Sequence, residues 1–163
     1  MAEFDNDVTA DVVDVLPEEE IRVCLFSMGE DTFAIPVDLL TEIIISQKIF
    51  HVPTTPPHVL GVINLRGNIV PIVDIRQALS LSQQSVPGQI AIVKQGTITL
   101  GIVVDNVFEV VGVPLGTVQT IPADYSAQAN KNRSRFVKGI IKREAGVVAL
   151  LNIEKVFDEI KLM

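Results

Sequence analysis

The chain has no tryptophan, a single cysteine and an aromatic content of only 5%. With so few rings, a core must be aliphatic. Cys24 lies in "RVCLF" among apolar neighbours, so it can form no internal disulfide and reads as an inert buried strand residue. No run of about 18 apolar residues occurs. The N-terminus "MAEFDNDVTADVVDV" is acidic where a signal peptide needs a basic start. The expectation is a cytoplasmic protein with no membrane insertion. The motifs GxxxxGK(S/T), GxGxxG, GxSxG and HExxH are all missing, which removes the phosphate-cradling loop, the nucleophile elbow and the zinc-protease helix.

Basic residues are missing from one stretch in particular. Residues 1–20 carry Glu3, Asp5, Asp7, Asp11, Asp14, Glu18, Glu19 and Glu20 and no Lys or Arg, which accounts for more than the whole formal charge of −7. The remaining 12 acidic and 13 basic residues leave the rest of the chain at +1. A near-neutral body behind an acidic, disordered tail gives no footprint for nucleic acid.

What is present in quantity is Val and Ile, residues that suit pleated, half-buried strands. Hydrophobic residues make up 48% of the 163, enough for a real core. Strand signals fall at 21–27, 32–36, 61–65, 68–73, 89–94, 97–104, 136–141 and 146–151, separated by Gly, Pro, Asn or charge. Short helices are expected at 37–43, 76–79 and 153–157, each with an Asp or Asn nearby to cap it. Residues 111–135 read as a long loop ending in a basic cluster of Lys131, Arg133, Arg135, Lys138, Lys142 and Arg143. The cluster is either a solvated face or a docking patch for something acidic.

The chain also repeats itself. Residues 22–46 set against 89–113, an offset of 67, pair Gly29 with Gly96, Thr32 with Thr99, Ile35 with Ile102, Val37 with Val104, Asp38 with Asp105 and Glu42 with Glu109, six identities in 25 positions. At an offset of 78, "VPIVDIRQAL" echoes "VALLNIEKVF" and Gly61 echoes Gly139. The expected fold is mostly β, with two packed five-stranded barrels, a few short helices and repeat halves of about 21–80 and 88–160.

Residues for catalysis are scarce. His51 and His58 flank "HVPTTPPH" and would need Asp74 or Asp105 to complete a metal site. Asp38, Asp74 and Asp105 each end an apolar strand, where an Asp ordinarily accepts backbone N–H groups to start a bend. A small metal-dependent enzyme is therefore the weaker reading, and no cofactor is expected. A hairpin tip is clearer. In "GVINLRGNIVPIVDIR", residues 61–76, Asn64 and Gly67 tolerate positive φ and Arg66 is presented at the rim. The second half has "KREAG" in the matching place, so only one half carries an Arg-Gly tip, which marks Arg66 as a feature for a partner.

That hairpin resembles the signature of the CheW-type chemotaxis coupling proteins. "FAIPVDLLTEII", "HVPTTPPHVLG", "GIVVDNV" and "FVKGIIKREAGVVALLNIEKVF" extend the resemblance over residues 21–160. It departs where family members have Arg-Ile-Pro and this chain has Phe50, His51, Val52 and Pro53. The resemblance implies two SH3-like barrels around a groove and a non-catalytic adaptor. Such an adaptor bridges the cytoplasmic tip of a chemoreceptor to the regulatory domain of the CheA histidine kinase within a receptor array. It assigns coupling to Arg66 and Glu42, with Asn64, Gly61 and Gly67 shaping the hairpin. Val37, Leu40 and Ile43 then face a receptor from one side of the groove, and Val104 and Val107 from the other. The same domain serving pilus motility or another non-flagellar system is the nearest alternative.

Overall fold

The computed structural model of the chain describes residues 19–56, 58–79, 81, 88–120 and 135–161. Most of the acidic tail, and Lys131 and Arg133 of the basic cluster, lie outside the described residues. The strands are β1 (Glu20–Met28), β2 (Asp31–Pro36), β3 (Leu40–Ile45), β4 (Val59–Leu65), β5 (Asn68–Val73), β6 (Gln89–Gln95), β7 (Ile98–Val104), β8 (Asn106–Pro114), β9 (Val118–Gln119), β10 (Val137–Arg143) and β11 (Gly146–Leu151), followed by helix α1 (Ile153–Lys161). They form a six-stranded sheet in the order β9-β10-β11-β2-β1-β8 and a five-stranded sheet in the order β3-β6-β7-β5-β4. The mostly-β fold expected from composition is what forms.

The repeat is realised across the sheets rather than within them. Hairpin β1–β2 takes its neighbours β8 and β11 from the second half of the chain, whereas hairpin β6–β7 takes β3 and β5 from the first. Even the registers repeat. Leu150 lies opposite Ala34 in the parallel pair β11–β2, and its counterpart Ile72 lies opposite Gly101, the counterpart of Ala34, in β5–β7. Bulges recur too: between Val59 and Gly61 and between Val137 and Gly139, and at Thr41 and its counterpart Phe108, the unpaired residues of β3 and β8.

Alternation along the strands explains the continuous apolar runs. Val23, Leu25, Ala34, Val148 and Leu150 fill a cluster inside the six-stranded sheet, and Val70, Ile72, Ile90, Ile92 and Val103 one inside the five-stranded sheet. Their neighbours Met28, Phe33, Ile35, Val73, Ala91, Val93, Ile102, Val104 and Leu151 turn the other way. They meet Ile153, Val156 and Phe157 of α1 in a third cluster that joins the two sheets. A strand with a core on both faces has no polar side to show.

Three local expectations change. Residues 37–43 do not form a helix. Val37–Leu39 make a single 3-10 turn without a side-chain cap, and the β-branched run of β3 pairs with β6 instead. At 76–79 there is one hydrogen-bonded turn, in which the Leu79 N–H reaches Ile75 and Arg76 and the Leu81 N–H reaches Arg76. Residues 111–114 complete β8 and are followed by a 3-10 turn and β9 rather than by loop. The C-terminal helix forms as expected and runs further, capped by Asn152 Oδ1, which accepts the Lys155 N–H at 3.3 Å.

Candidate functional site

The tip of hairpin β4–β5 is a two-residue turn, with Leu65 paired to Asn68. Arg66 and Gly67 both have positive φ, +52° and +90°. This is the geometry that matches the twist of the flanking strands. It falls on Arg66 rather than on Asn64. Asn64 stays in β4 and accepts the Gly67 N–H on its side-chain oxygen at 2.8 Å. An arginine in the left-handed region costs about 1 kcal/mol that a glycine would not.

Arg66 Nη2 donates to Glu42 Oε2 on β3. Because β3 and β4 are the two edges of the five-stranded sheet, this contact spans its seam. Two more contacts close the same seam. Phe50 and Val62 exchange backbone hydrogen bonds of 2.8 and 2.9 Å, and Gln47 Nε2 donates to Asn64 O at 3.3 Å. Gly61 belongs to this closure and not to the tip, since a Cβ there would stand 2.2 Å from Phe50 O. The Arg66 side chain remains 67% exposed and Glu42 28%. An ion pair so solvated contributes under about 1 kcal/mol, so stability does not require it. It borders a shallow depression of about 440 Å³ that also takes in Lys94, Thr97, Thr99 and the exposed Ile69.

The second half repeats this arrangement in part. Glu109, counterpart of Glu42, lies 3.9 Å from Arg143 beside a depression of about 340 Å³ that carries exposed Phe108 and Val147. Arg143 is the counterpart of Leu65, one position before the tip. The asymmetry read from the sequence is therefore one of turn type, because an Arg–Glu pair exists on both sheets.

Of the residues expected in the groove, one does not reach the surface. Val104 is fully buried in the joint between the sheets, so it cannot face a partner in this conformation. Its position in a doubly covered strand decides that. Leu40 and Val107 are half-buried against the same joint cluster. Val37 on the 3-10 turn and Ile43 on β3 are also half-buried.

One residue went unassigned in the sequence. Arg76 is 2% exposed, yet charged. Its Nε and Nη2 donate to the two oxygens of Asp74 at 3.0 and 2.9 Å, its Nη1 donates to Asp105 at 3.0 Å, and its own N–H donates to Asp74. Asp105 also accepts the Gly29 N–H from the β1–β2 turn at 2.7 Å, so the cluster ties one sheet to the other. The hydrogen bonds that Arg76 donates to Asp74 lead in holding the guanidinium pKa above its already high value, against the opposing effect of burial. The available signal was the pattern of an Asp and an Arg two apart after one apolar strand, with a second carboxylate, Asp105, directly after another.

This cluster also bears on the metal-site reading. Asp74 and Asp105 are engaged by Arg76, while His51 is exposed and His58 packs edge-on against Phe136 at 5.8 Å. Among the described residues no group of three or more His, Cys, Asp or Glu is placed to hold a metal ion. Of the basic cluster, Arg135 stacks over Phe136 at 5.3 Å, while Lys138 and Lys142 are exposed.

Residues 22–161 match the family model of the CheW-like domain. Chemotaxis protein CheW of Treponema pallidum is 24% identical over 151 residues, covering 89% of this chain and 86% of that protein. The Helicobacter pylori protein of the same name is 28% identical over 141 residues, covering 85% and 82%. The scaffolding protein TtCheW from Thermoanaerobacter tengcongensis has the same fold, with a TM-score of 0.71 at 24% identity, over 82% of this chain and 90% of that one. A family match that spans both sheets and α1, on a fold shared with a solved scaffold, means that this chain belongs to the CheW-like domain family.

Proposed function

We propose that this chain docks on its signalling partners through the seam of the five-stranded sheet, with Arg66 and Glu42 as the contact that decides coupling. As a member of the CheW-like family it is an adaptor of chemotaxis signalling, not an enzyme, and it couples chemoreceptors to the CheA kinase. The finer reading is that the kinase's regulatory domain takes the Arg66 face, while a receptor's helical hairpin takes the half-buried Val37, Leu40, Ile43 and Val107. The chain then works in the cytoplasm, at receptor tips in an array. Among the described residues no helix is long and apolar enough to cross a membrane.

The observation that carries this reading is the exposed Arg66 in a left-handed turn, pinned by Glu42. A fold-driven tip would use Gly or Asn there. A planar fork of donors, held at a fixed place and still two-thirds in water, suits carboxylates or main-chain carbonyls of a partner. The test is Arg66→Glu, measured by calorimetric titration with a CheA regulatory domain. At least a tenfold loss of affinity, about 1.4 kcal/mol, is expected while the melting temperature stays within a few degrees. Unchanged affinity removes Arg66 from the interface.

A further inference from the structure

The repeat allows the two sides of the joint between the sheets to be compared residue by residue. On one side the Arg76 guanidinium enters the joint and is received by Asp74 and Asp105. On the other, the counterparts are Asn152 for Asp74, Asp38 for Asp105, Glu154 for Arg76 and Gln95 for Met28. The oxygen acceptors are kept or increased, and the arginine is gone. In its place is an open cleft of about 220 Å³, walled by Pro36 and Leu39 and lined by Gln95, Asn152, Glu154 and Lys138.

The acceptors of this cleft are under-used. Gln95 Oε1 is buried and makes no hydrogen bond, the one such side-chain N or O atom among the described residues. Of the charged residues that line it, Glu154 and Lys138 form no ion pair among the described residues, while Asp38 stands outside the lining. A buried carbonyl oxygen without a donor is an unfavourable arrangement, and a ligand N–H relieves it once the Gln95 side chain turns its oxygen to the cleft.

We propose that this cleft receives an arginine side chain from a protein partner, whose guanidinium takes the place that Arg76 fills on the other side of the joint. The proposal rests on the adaptor reading and names the chemistry of one contact within it. A guanidinium presents five N–H donors in a planar fork, enough for Glu154 and Gln95 Oε1 together, and its aliphatic stem lies along Pro36 and Leu39. Lys138 on the rim offsets the Glu154 charge, so the cleft selects by the shape of the fork rather than by net charge.

The test uses the full chain. In an amide NMR titration, methylguanidinium is expected to give saturable shifts of the Gln95 side-chain amide and the first turn of α1, and methylammonium none. Glu154→Arg, which supplies the missing guanidinium from within, is expected to abolish that response without lowering the melting temperature. Gln95→Leu serves as a second variant and is expected to weaken the response at least fivefold. No saturable shift, or equal shifts from both cations, overturns the proposal. In partner assays, Glu154→Arg and Gln95→Leu are expected to weaken binding of a receptor tip fragment or a CheA regulatory domain at least fivefold. If the wild-type chain binds both partners and neither variant loses affinity, the arginine site is rejected and the adaptor reading stands. If the wild-type chain binds neither partner, the adaptor reading fails, while the titration still decides the cleft.

Discussion

Replacing Arg76 by Met keeps most of the side chain's length and removes its charge and three side-chain hydrogen bonds of 2.9 to 3.0 Å. Asp74 and Asp105, with side chains 7% and 9% exposed, are then left without their cation in the joint between the sheets. Breaking a buried ion pair on one side costs about 3 to 5 kcal/mol, mostly because the remaining charges are stranded away from water. For a domain of this size each kcal/mol lowers the melting temperature by about 2 to 4 °C, so the drop is roughly 6 to 20 °C. Urea denaturation should place the loss in the midpoint, with the slope unchanged. The mechanism is checked by Arg76→Met combined with Asp74→Asn and Asp105→Asn, which removes the stranded charge and keeps an oxygen for the Gly29 N–H. The triple variant should recover at least half of the loss. A single variant that loses under about 1 kcal/mol, or a triple variant no better than the single, refutes the view that charge stranding governs this joint.

Other expectations concern the seam, the tip and the thiol. Gly61→Ala forces a Cβ to 2.2 Å from Phe50 O and should cost more than about 2 kcal/mol, whereas Gly67→Ala has open space and should cost only the left-handed strain, about 1 kcal/mol. Equal losses in urea melts would contradict the seam role of Gly61. Arg66→Gly should leave the melting temperature unchanged or slightly higher, because it relieves a non-glycine residue of φ +52°. Burial pushes the Cys24 thiol above its ordinary pKa, so at pH 8 a disulfide reagent should modify it only as the chain unfolds. Because the fold disfavours the thiolate, the stability linked to Cys24 is complete below the ordinary thiol pKa and declines as pH rises from there towards the raised value. Rapid labelling of the native protein would show that the strand is open.

The β-branched runs, the repeat and the hairpin tip were legible because each is local or internal to the chain. Periodicity says what an element is, but not which strand it joins, so the exchange of β3 and β8 between the halves was hidden. Edge strand β8 escaped notice because Phe108, Glu109 and Val110 are all exposed and show no alternation. Val104 looked available as a counterpart of Val37, and only the second core on the back of β7 shows it to be sealed. Arg76 carried no local sign of burial. Asp105 lies 29 residues on, and the Gly29 N–H that shares Asp105 is 76 residues away from it. The depth of such a site depends on contacts that a single pass along the chain does not supply.

As an adaptor, this chain holds a receptor and a kinase together and performs no chemistry of its own. The direct measurement is light scattering on chromatographed mixtures of the full chain with a receptor signalling-tip fragment and a CheA regulatory domain, separately and together. Binary complexes with each and a ternary complex of all three are expected, with the kinase contact weakened by Arg66→Glu. Elution of the chain alone in both binary mixtures would contradict the adaptor reading.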